Sequence, residues 1–167
     1  RDFRQKFPQV EDATAIKYGD QYSYEAEGGK KMTVTEVYVD STFFRFFTFP
    51  VVEGTPQRIN ENPNNVVISA ELARKFFGSG SAVGQKLTYS FGNSISDVYT
   101  VVAVVDIPRK SHIRFELAMP MEAYGRGGVN INWNTFTESM HVYIKMKEGA
   151  AMLRSEAQAK AEQENAA

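Results

Sequence analysis

Apolar and polar positions alternate along much of the chain, and the alternation predicts strands. Ile16, Tyr18, Tyr22, Tyr24 and Ala26 share one face of a strand from Ile16 to Ala26, which Gly19-Asp20 interrupts and is expected to bulge. Gly28-Gly29 supplies a two-residue turn tolerant of positive φ, a hairpin signal. Met32 to Val39 is the return strand. Its apolar phase slips at Glu36, with Met32 and Val34 facing one way and Val37 and Val39 the other, so a bulge or burial on both faces is expected. Asn65 to Ile68 forms a short strand, and Leu87, Tyr89 and Phe91 alternate in another. Tyr99 to Val105 is a continuous β-branched run of the kind found in the middle of a sheet. Ile113, Phe115, Leu117 and Met119 alternate, as do Met140, Val142, Ile144 and Met146 opposite His141, Tyr143, Lys145 and Lys147.

Two short helices interrupt the strands. Asp40 or Ser41 can accept the first backbone N–H groups of a helix carrying Phe43, Phe44, Phe46 and Phe47, which Phe49-Pro50 ends. Ser69 caps a second helix running to Phe77, with Glu71 in its first turn and Gly78 at the position where positive φ is wanted. Leu72 with Phe76, and Ala73 with Phe77, form its buried stripe. Glu53 to Asn65 and Gly125 to Asn134 read as loops from their Gly, Pro and Asn content. From Ala150 to Gln163 helix formers dominate, but only Leu153, Ala157 and Ala161 make a stripe, so a weakly docked helix or frayed tail is expected. No internal repeat and no dividing linker is present, which gives an α+β fold of hairpins and short helices in one domain.

Composition sharpens this picture. The 167 residues suffice for one domain with a real core. Twelve Phe and eight Tyr suit a mixed core with substantial β-structure. The net charge of −1 leaves no basic excess for nucleic acid. Without cysteine there is no disulfide framework, thiolate metal site or thiol nucleophile. The longest apolar run, Val101 to Val105, is far short of the ~20 residues that span a bilayer. The chain opens on Arg1-Asp2-Phe3-Arg4-Gln5-Lys6 without Met or a signal peptide, as an excised piece would.

Candidate chemistry thins out on inspection. The glycines of Gly78 to Lys86 invite a phosphate-loop reading, but a dinucleotide fingerprint needs glycine at Val83 and a P-loop needs lysine at Gln85. His141 lies on the polar face of a strand, and His112 sits in a loop with no second histidine beside it, which favours loop hydrogen bonding over a metal or acid–base site. Ser139, His141 and Asp106 supply the residue types of a triad without the glycines of a nucleophile elbow. Glu25, Glu27 and Asp40 lack calcium-loop spacing. The Phe43–Phe47 cluster reads as core in preference to a membrane or partner surface. No catalytic, cofactor-binding or metal-binding residue is singled out, and no cofactor is expected.

Three stretches, in order, resemble the periplasmic core domain of MacB-like and FtsX-like ABC permeases, the macrolide-exporter and lipoprotein-release type. Val37-Tyr38-Val39-Asp40-Ser41-Thr42-Phe43-Phe44 through Val52-Glu53-Gly54 is similar to that family's strand, double-Phe helix and closing glycine. Asn65-Val66-Val67-Ile68-Ser69 through Phe76-Phe77-Gly78, then Gly84-Gln85-Lys86-Leu87, resembles its strand, helix, Phe-Gly and Gly-x-x-Leu passage. Tyr99 to Val105, Asp106-Ile107-Pro108 and Ser111-His112 resemble its strand ending in Asp-x-Pro and leading to Ser-His.

The resemblance covers Phe3 to Gly149. It implies a small mixed sheet with hairpins and short flanking helices, in two lobes, one like a porter-type βαβ unit and the other a β-rich insertion. It also implies a core domain over 1–149, with 150–167 a helical tail or the end of the piece. The implied setting is the periplasmic face of the inner membrane, anchored by transmembrane helices outside this chain. The implied partners are a second permease subunit, a cytoplasmic ABC ATPase and a periplasmic adaptor or substrate. The implied role is to relay ATP-driven motion outward, without enzymatic chemistry. The runner-up is a ligand-binding sensor domain of a membrane receptor, which would need a concave pocket with convergent polar groups.

Overall fold

A computed structural model of the chain describes residues 7–91, 95–125 and 140–150. Its strands are β1 (Val10–Ala26), β2 (Lys31–Val39), β3 (Val51–Gly54), β4 (Asn65–Ser69), β5 (Lys86–Phe91), β6 (Ile95–Val105), β7 (Leu117–Pro120) and β8 (Met140–Met146). Between them lie the helices α1 (Phe43–Phe46) and α2 (Ala70–Phe77) and the 3-10 segments η1 (Pro56–Glu61) and η2 (Met121–Gly125). The strands form one mixed sheet in the order β2-β7-β4-β6-β5-β1-β8, with β3 added to β6. The β2–β7 and β4–β6 pairs are parallel, and β1–β2, β1–β5, β3–β6, β4–β7 and β5–β6 are antiparallel. The architecture is α+β.

The chain divides into two units, Thr14–Val142 and the two ends flanking it. In the first unit the ladder returns on itself, because β1 pairs with β5 through Tyr24–Ala26 and with β2 through Ile16–Glu25. Six strands thereby close a ring, leaving none of the six with an edge along its whole length. One apolar cluster draws on every strand of that ring: Tyr24, Val34, Leu117, Val66, Val101 and Leu87, with Leu72 and Phe76 of α2 packed onto it. In the second unit the start of β1 and the end of β8 are joined, the Lys147 N–H donating to Gln9 O at 2.9 Å and Lys145 Nζ lying 2.7 Å from Glu11 Oε1.

Many expected elements are present, for the expected reasons. The β1 register shifts between Tyr18 and Gln21, at the Gly19-Asp20 interruption. Glu36, Val37, Tyr38 and Val39 are all buried, so the phase slip in β2 reflects burial on both faces. Ser69 Oγ accepts the Leu72 N–H at 3.1 Å and Gly78 has φ 65°, closing α2 as its sequence asks. Phe43 and Phe44 are buried and meet Phe47, Phe49 and Phe115 ring to ring, so the cluster is core.

Other expectations fail, each for an identifiable cause. β1 begins six residues before Ile16, and Tyr18 is exposed because the bulge turns it away from Tyr24. The hairpin connection is wider than two residues, with the Ala26 N–H donating to Lys30 O, although Gly28 and Gly29 both take positive φ. The segment read as loop from Glu53 begins inside a strand, since Val51–Gly54 pairs with β6, and Pro56–Glu61 winds into a 3-10 turn. The alternation from Ile113 to Met119 yields only β7, since Ile113 and Phe115 are buried in an irregular segment. The alternation of β8 forms a strand, but Val142 and Ile144 within it are exposed. The Asn-rich and Ala/Glu-rich stretches 126–134 and 151–163 lie outside the described residues.

Gly54 explains why β3 can pair where it does. Its φ is +76°, and a Cβ there would overlap Val102 O and come within 2.9 Å of Ala103 Cα and Val83 Cγ2. Gly54→Ala is therefore expected to destabilise the domain by more than ~1 kcal/mol, because both the backbone conformation and the space exclude a methyl. Phe44→Ala and Phe76→Ala should each cost about 3–5 kcal/mol in urea denaturation, as ring deletions from a core do. A loss near zero at Phe44 would make the cluster a docking surface instead.

Candidate functional site

Among the described residues, the first unit buries two ionisable side chains that the apolar pattern does not call for, Lys17 and Glu36. Glu36 of β2 is 3% exposed. Tyr24 Oη donates to its Oε2 at 2.5 Å and Tyr38 Oη to its Oε1 at 2.6 Å. The bulge in β1 makes room for it: a Cβ on Gly19 would come within 3.1 Å of Glu36 Cγ and 3.0 Å of Tyr38 Cε2. Further rings close around the pair, with Tyr124 edge-on to Tyr38, Tyr89 and Tyr99 beside Tyr24, and Lys17 Nζ 5.1 Å from the Tyr124 centroid. Loss of water pushes the Glu36 carboxyl above its ordinary range; the two tyrosine hydrogen bonds pull it back and the Asp20 charge adds to the rise. Burial and then the Glu36 charge push both phenols up, so Tyr24 and Tyr38 remain donors.

A second polar feature lies outside, where α2 begins. A cleft of about 400 Å³ is bordered by Arg74, Arg109 and Arg114 and by Glu71, Asp106 and Glu116. Lys75 Nζ reaches Glu71 Oε1 at 2.8 Å and Glu116 Oε1 at 3.4 Å, while Glu116 Oε2 accepts the Thr35 N–H at 2.8 Å. The Lys75 hydrogen bond holds the Glu71 carboxyl below its usual range. Three guanidiniums thus face three carboxylates, two of them already held, and the cleft carries no strong field of either sign.

The glycine-containing loop after α2 does gather an anion, but one from its own chain. Glu53 of β3 accepts the Ser81 hydroxyl and the Ala82 N–H, the latter at 3.1 Å, and these bonds lower its carboxyl from the usual range. Of the loop amides, that of Ala82 is taken by this carboxylate, while those of Gly80 and Gly84 donate to Phe77 O and Val101 O.

The remaining sequence candidates are dispersed. His112 is exposed in the β6–β7 connection, next to Ser111, whose Oγ donates to Ile113 O at 2.9 Å. His141 is exposed on β8 with its ring edge-on to Tyr18 at 5.4 Å. Asp106 is exposed just after β6, and Ser139 lies outside the described residues. Asp40, far from any calcium-loop geometry, accepts Thr14 Oγ1, the Ala15 N–H, the Thr42 N–H and Thr42 Oγ1, and so ties β1 to the start of α1. Among the described residues no group of three or more His, Asp or Glu side chains could hold a metal. Neither Glu36 nor the arginine-lined cleft was singled out from sequence. For Glu36 a signal existed: the phase slip placed a carboxylate among tyrosines in a strand buried on both faces. The cleft joins residues far apart in the chain and left no such trace.

Removing one donor from the buried carboxylate tests its role. Tyr24→Phe should cost about 1–3 kcal/mol of stability by chemical denaturation, because Glu36 Oε2 would then be buried without a partner.

Comparison with known proteins gives a consistent answer. The family model for the MacB-like periplasmic core domain matches residues 1–162. No curated protein sequence matches. Among solved structures, a domain assigned to a permease protein of Porphyromonas gingivalis superposes with a TM-score of 0.72 at 22% identity, covering 96% of this chain. The periplasmic region of MacB from Actinobacillus actinomycetemcomitans gives 0.63 at 13% identity over 93% of the chain. The extracellular domain of the noncanonic ABC-type transporter YknZ from Gram-positive bacteria gives 0.57 at 16% identity over 84%. The chain spans 65%, 66% and 67% of those three structures respectively. At these identities the structural likeness speaks for the fold, and the match along residues 1–162 speaks for descent: the chain belongs to the MacB-like periplasmic core domain family.

Proposed function

We propose that this domain is the extracytoplasmic part of an ABC permease of the macrolide-export or lipoprotein-release type, and that it relays ATP-driven motion outward without performing chemistry. In this reading the permease dimerises, a cytoplasmic ATPase drives it, and the domain acts on a substrate or a periplasmic adaptor. Family membership supports the setting. The observation that carries the relay is local to the unit formed by the two ends. There the strand entering near Gln9 and the strand leaving near Lys147 are hydrogen bonded at 2.9 Å. Two chain segments that must both reach one bilayer need such proximity, and a backbone pair lets them move together. On this reading Arg1 to Phe7 continue a membrane helix that Pro8 ends; residues 1–6 lie outside the described residues. A sensor would use the cleft at the start of α2, but Lys75 and the Thr35 amide already occupy two of its carboxylates.

Three measurements test the proposal. Isothermal titration of the chain with ATP should show no binding at micromolar concentrations, because no P-loop spacing is present; saturable binding would overturn it. In the membrane-embedded parent transporter, His112→Asn should leave export near normal, since this side chain is given no acid–base role. Spin labels at Asn60→Cys on the two permease copies, with any cysteine outside these cysteine-free 167 residues replaced, should report a distance that changes on ATP binding. A distance that ATP leaves unchanged sinks the relay, and the absence of any measurable pair sinks the dimer.

A further inference from the structure

Glu36 occupies a position where burial and hydrogen bonding oppose each other. We infer that Glu36, held between Tyr24 and Tyr38 under the β1 bulge, is a proton-controlled latch on the closed strand ring: neutral, it holds the β1–β2 segment shut, and ionised, it loosens that segment locally. The inference rests on the geometry of the described residues and is independent of the permease reading.

The position matters first. Glu36 pairs along the backbone with Leu117 of β7, and its side chain is clamped by β1 through Tyr24. It therefore sits where three consecutive strands of the ring, β1, β2 and β7, are held together. The β1–β2 ladder is interrupted beside it, between Tyr18/Val37 and Gln21/Thr35, so the segment most able to part lies directly over the carboxylate. Gly19 leaves no side chain between the two.

The charge around it comes next. From β1 the carboxyl is faced by Asp20, which opposes its ionisation, and by the phenols of Tyr22 and Tyr24; from β2 by Tyr38; from β5 by Tyr89. Tyr99 of β6 and Tyr124 of η2 complete the shell, and the Lys17 ammonium lies over the Tyr124 ring. No Glu36 salt bridge is present among the described residues. The ionised form is therefore stabilised by two phenolic O–H groups against near-complete loss of water. The neutral form keeps both contacts by reversing one of them, its own O–H donating to a tyrosine oxygen. One proton exchanges a neutral cluster, in which one phenolic hydrogen gives up its carboxylate acceptor, for a fully hydrogen-bonded buried charge.

The sign follows. Burial raises the folded-state carboxyl above its unfolded value. Its contribution to stability is fully present below the unfolded value, near the ordinary 4.5, and is lost as pH rises through the folded value. Each unit of upward displacement is a tenfold change in the folding equilibrium constant across that window.

The test compares the 167-residue chain with Glu36→Gln, which keeps the shape but cannot ionise. Native-state hydrogen exchange, corrected for intrinsic rates, is followed from pH 5 to pH 8. In the wild type the amides of Tyr22 to Tyr24 and Val34 to Tyr38 should lose at least tenfold protection as pH rises, while those of α2 and β6 do not. In Glu36→Gln that pH-dependent loss should vanish. Equal pH dependence in both chains, or a loss spread evenly over all amides, overturns the latch. Should Glu36→Gln not fold, 13C titration of the wild-type Glu36 carboxyl decides: a midpoint above the ordinary glutamate value supports the latch, and one at or below it overturns it.

Discussion

The strand β6 sets the terms for the rest of the first unit. Val101 to Val105 is buried on both faces, so each of its backbone donors and acceptors must find a partner within the protein. β5 takes the first half of the strand, β4 lies parallel along Asn65–Ser69, and β3 fills the opposite side of its last three residues. Connections complete the pairing: the Gly84 N–H donates to Val101 O, the Val101 N–H to Gln85 O, and the Thr55 N–H to Val102 O. A buried carbonyl left alone costs about 1–3 kcal/mol, so the loops after α2 and β3 are drawn onto β6 as firmly as the strands are. Gly54 and Gly84, both at positive φ, are where those connections approach the β6 backbone.

That arrangement accounts for what the sequence displayed and what it concealed. The β-branched run of β6, the Ser69 cap and Gly78 stop of α2, and the double-Phe helix are local signals, because each depends on residues within a turn or two. They were legible for that reason. Val51–Gly54 was not: four residues with Pro50 before them and Gly54 at their end carry no alternation, and only the unpaired side of β6 makes them a strand. Ile113 and Phe115 misled in the opposite direction, since burial in an irregular segment produces the same alternation as a strand. Tyr18 was misplaced because a bulge reverses facing, and sequence locates a bulge more easily than its consequences.

The tyrosines illustrate the same distinction for the polar interior. A chain rich in Tyr reads as one with β-structure and an aromatic core. Here Tyr24 and Tyr38 do something further, since a phenol is large enough to pack with Val34 and Leu87 and still places an O–H on a carboxylate. Phenylalanines make up the separate cluster around Phe43, whose side chains carry no polar atom. The division between the two clusters follows from Glu36. The rings in contact with the Glu36 carboxylate carry hydroxyls, while those that meet Phe43 are bare.

A comparable logic governs the outside. Glu53 is held by Ser81 and Ala82, Glu71 and Glu116 by Lys75, and Asp40 by Thr14, Ala15 and Thr42. Glu53, Glu116 and Asp40 fasten connections to neighbouring strands and Glu71 pairs within its own helix, so these carboxylates are engaged before any ligand arrives. An enzyme or a ligand sensor keeps polar groups preorganised but unsatisfied until its substrate binds. A body that transmits displacement has the opposite requirement, because a loop that yields under load absorbs the motion instead of passing it on. The proposed relay asks for this second arrangement. Within the first unit, connections pinned by carboxylates and a ring in which no strand is an edge along its whole length suit such a relay, and in the unit formed by the two ends the backbone bond from Lys147 to Gln9 does.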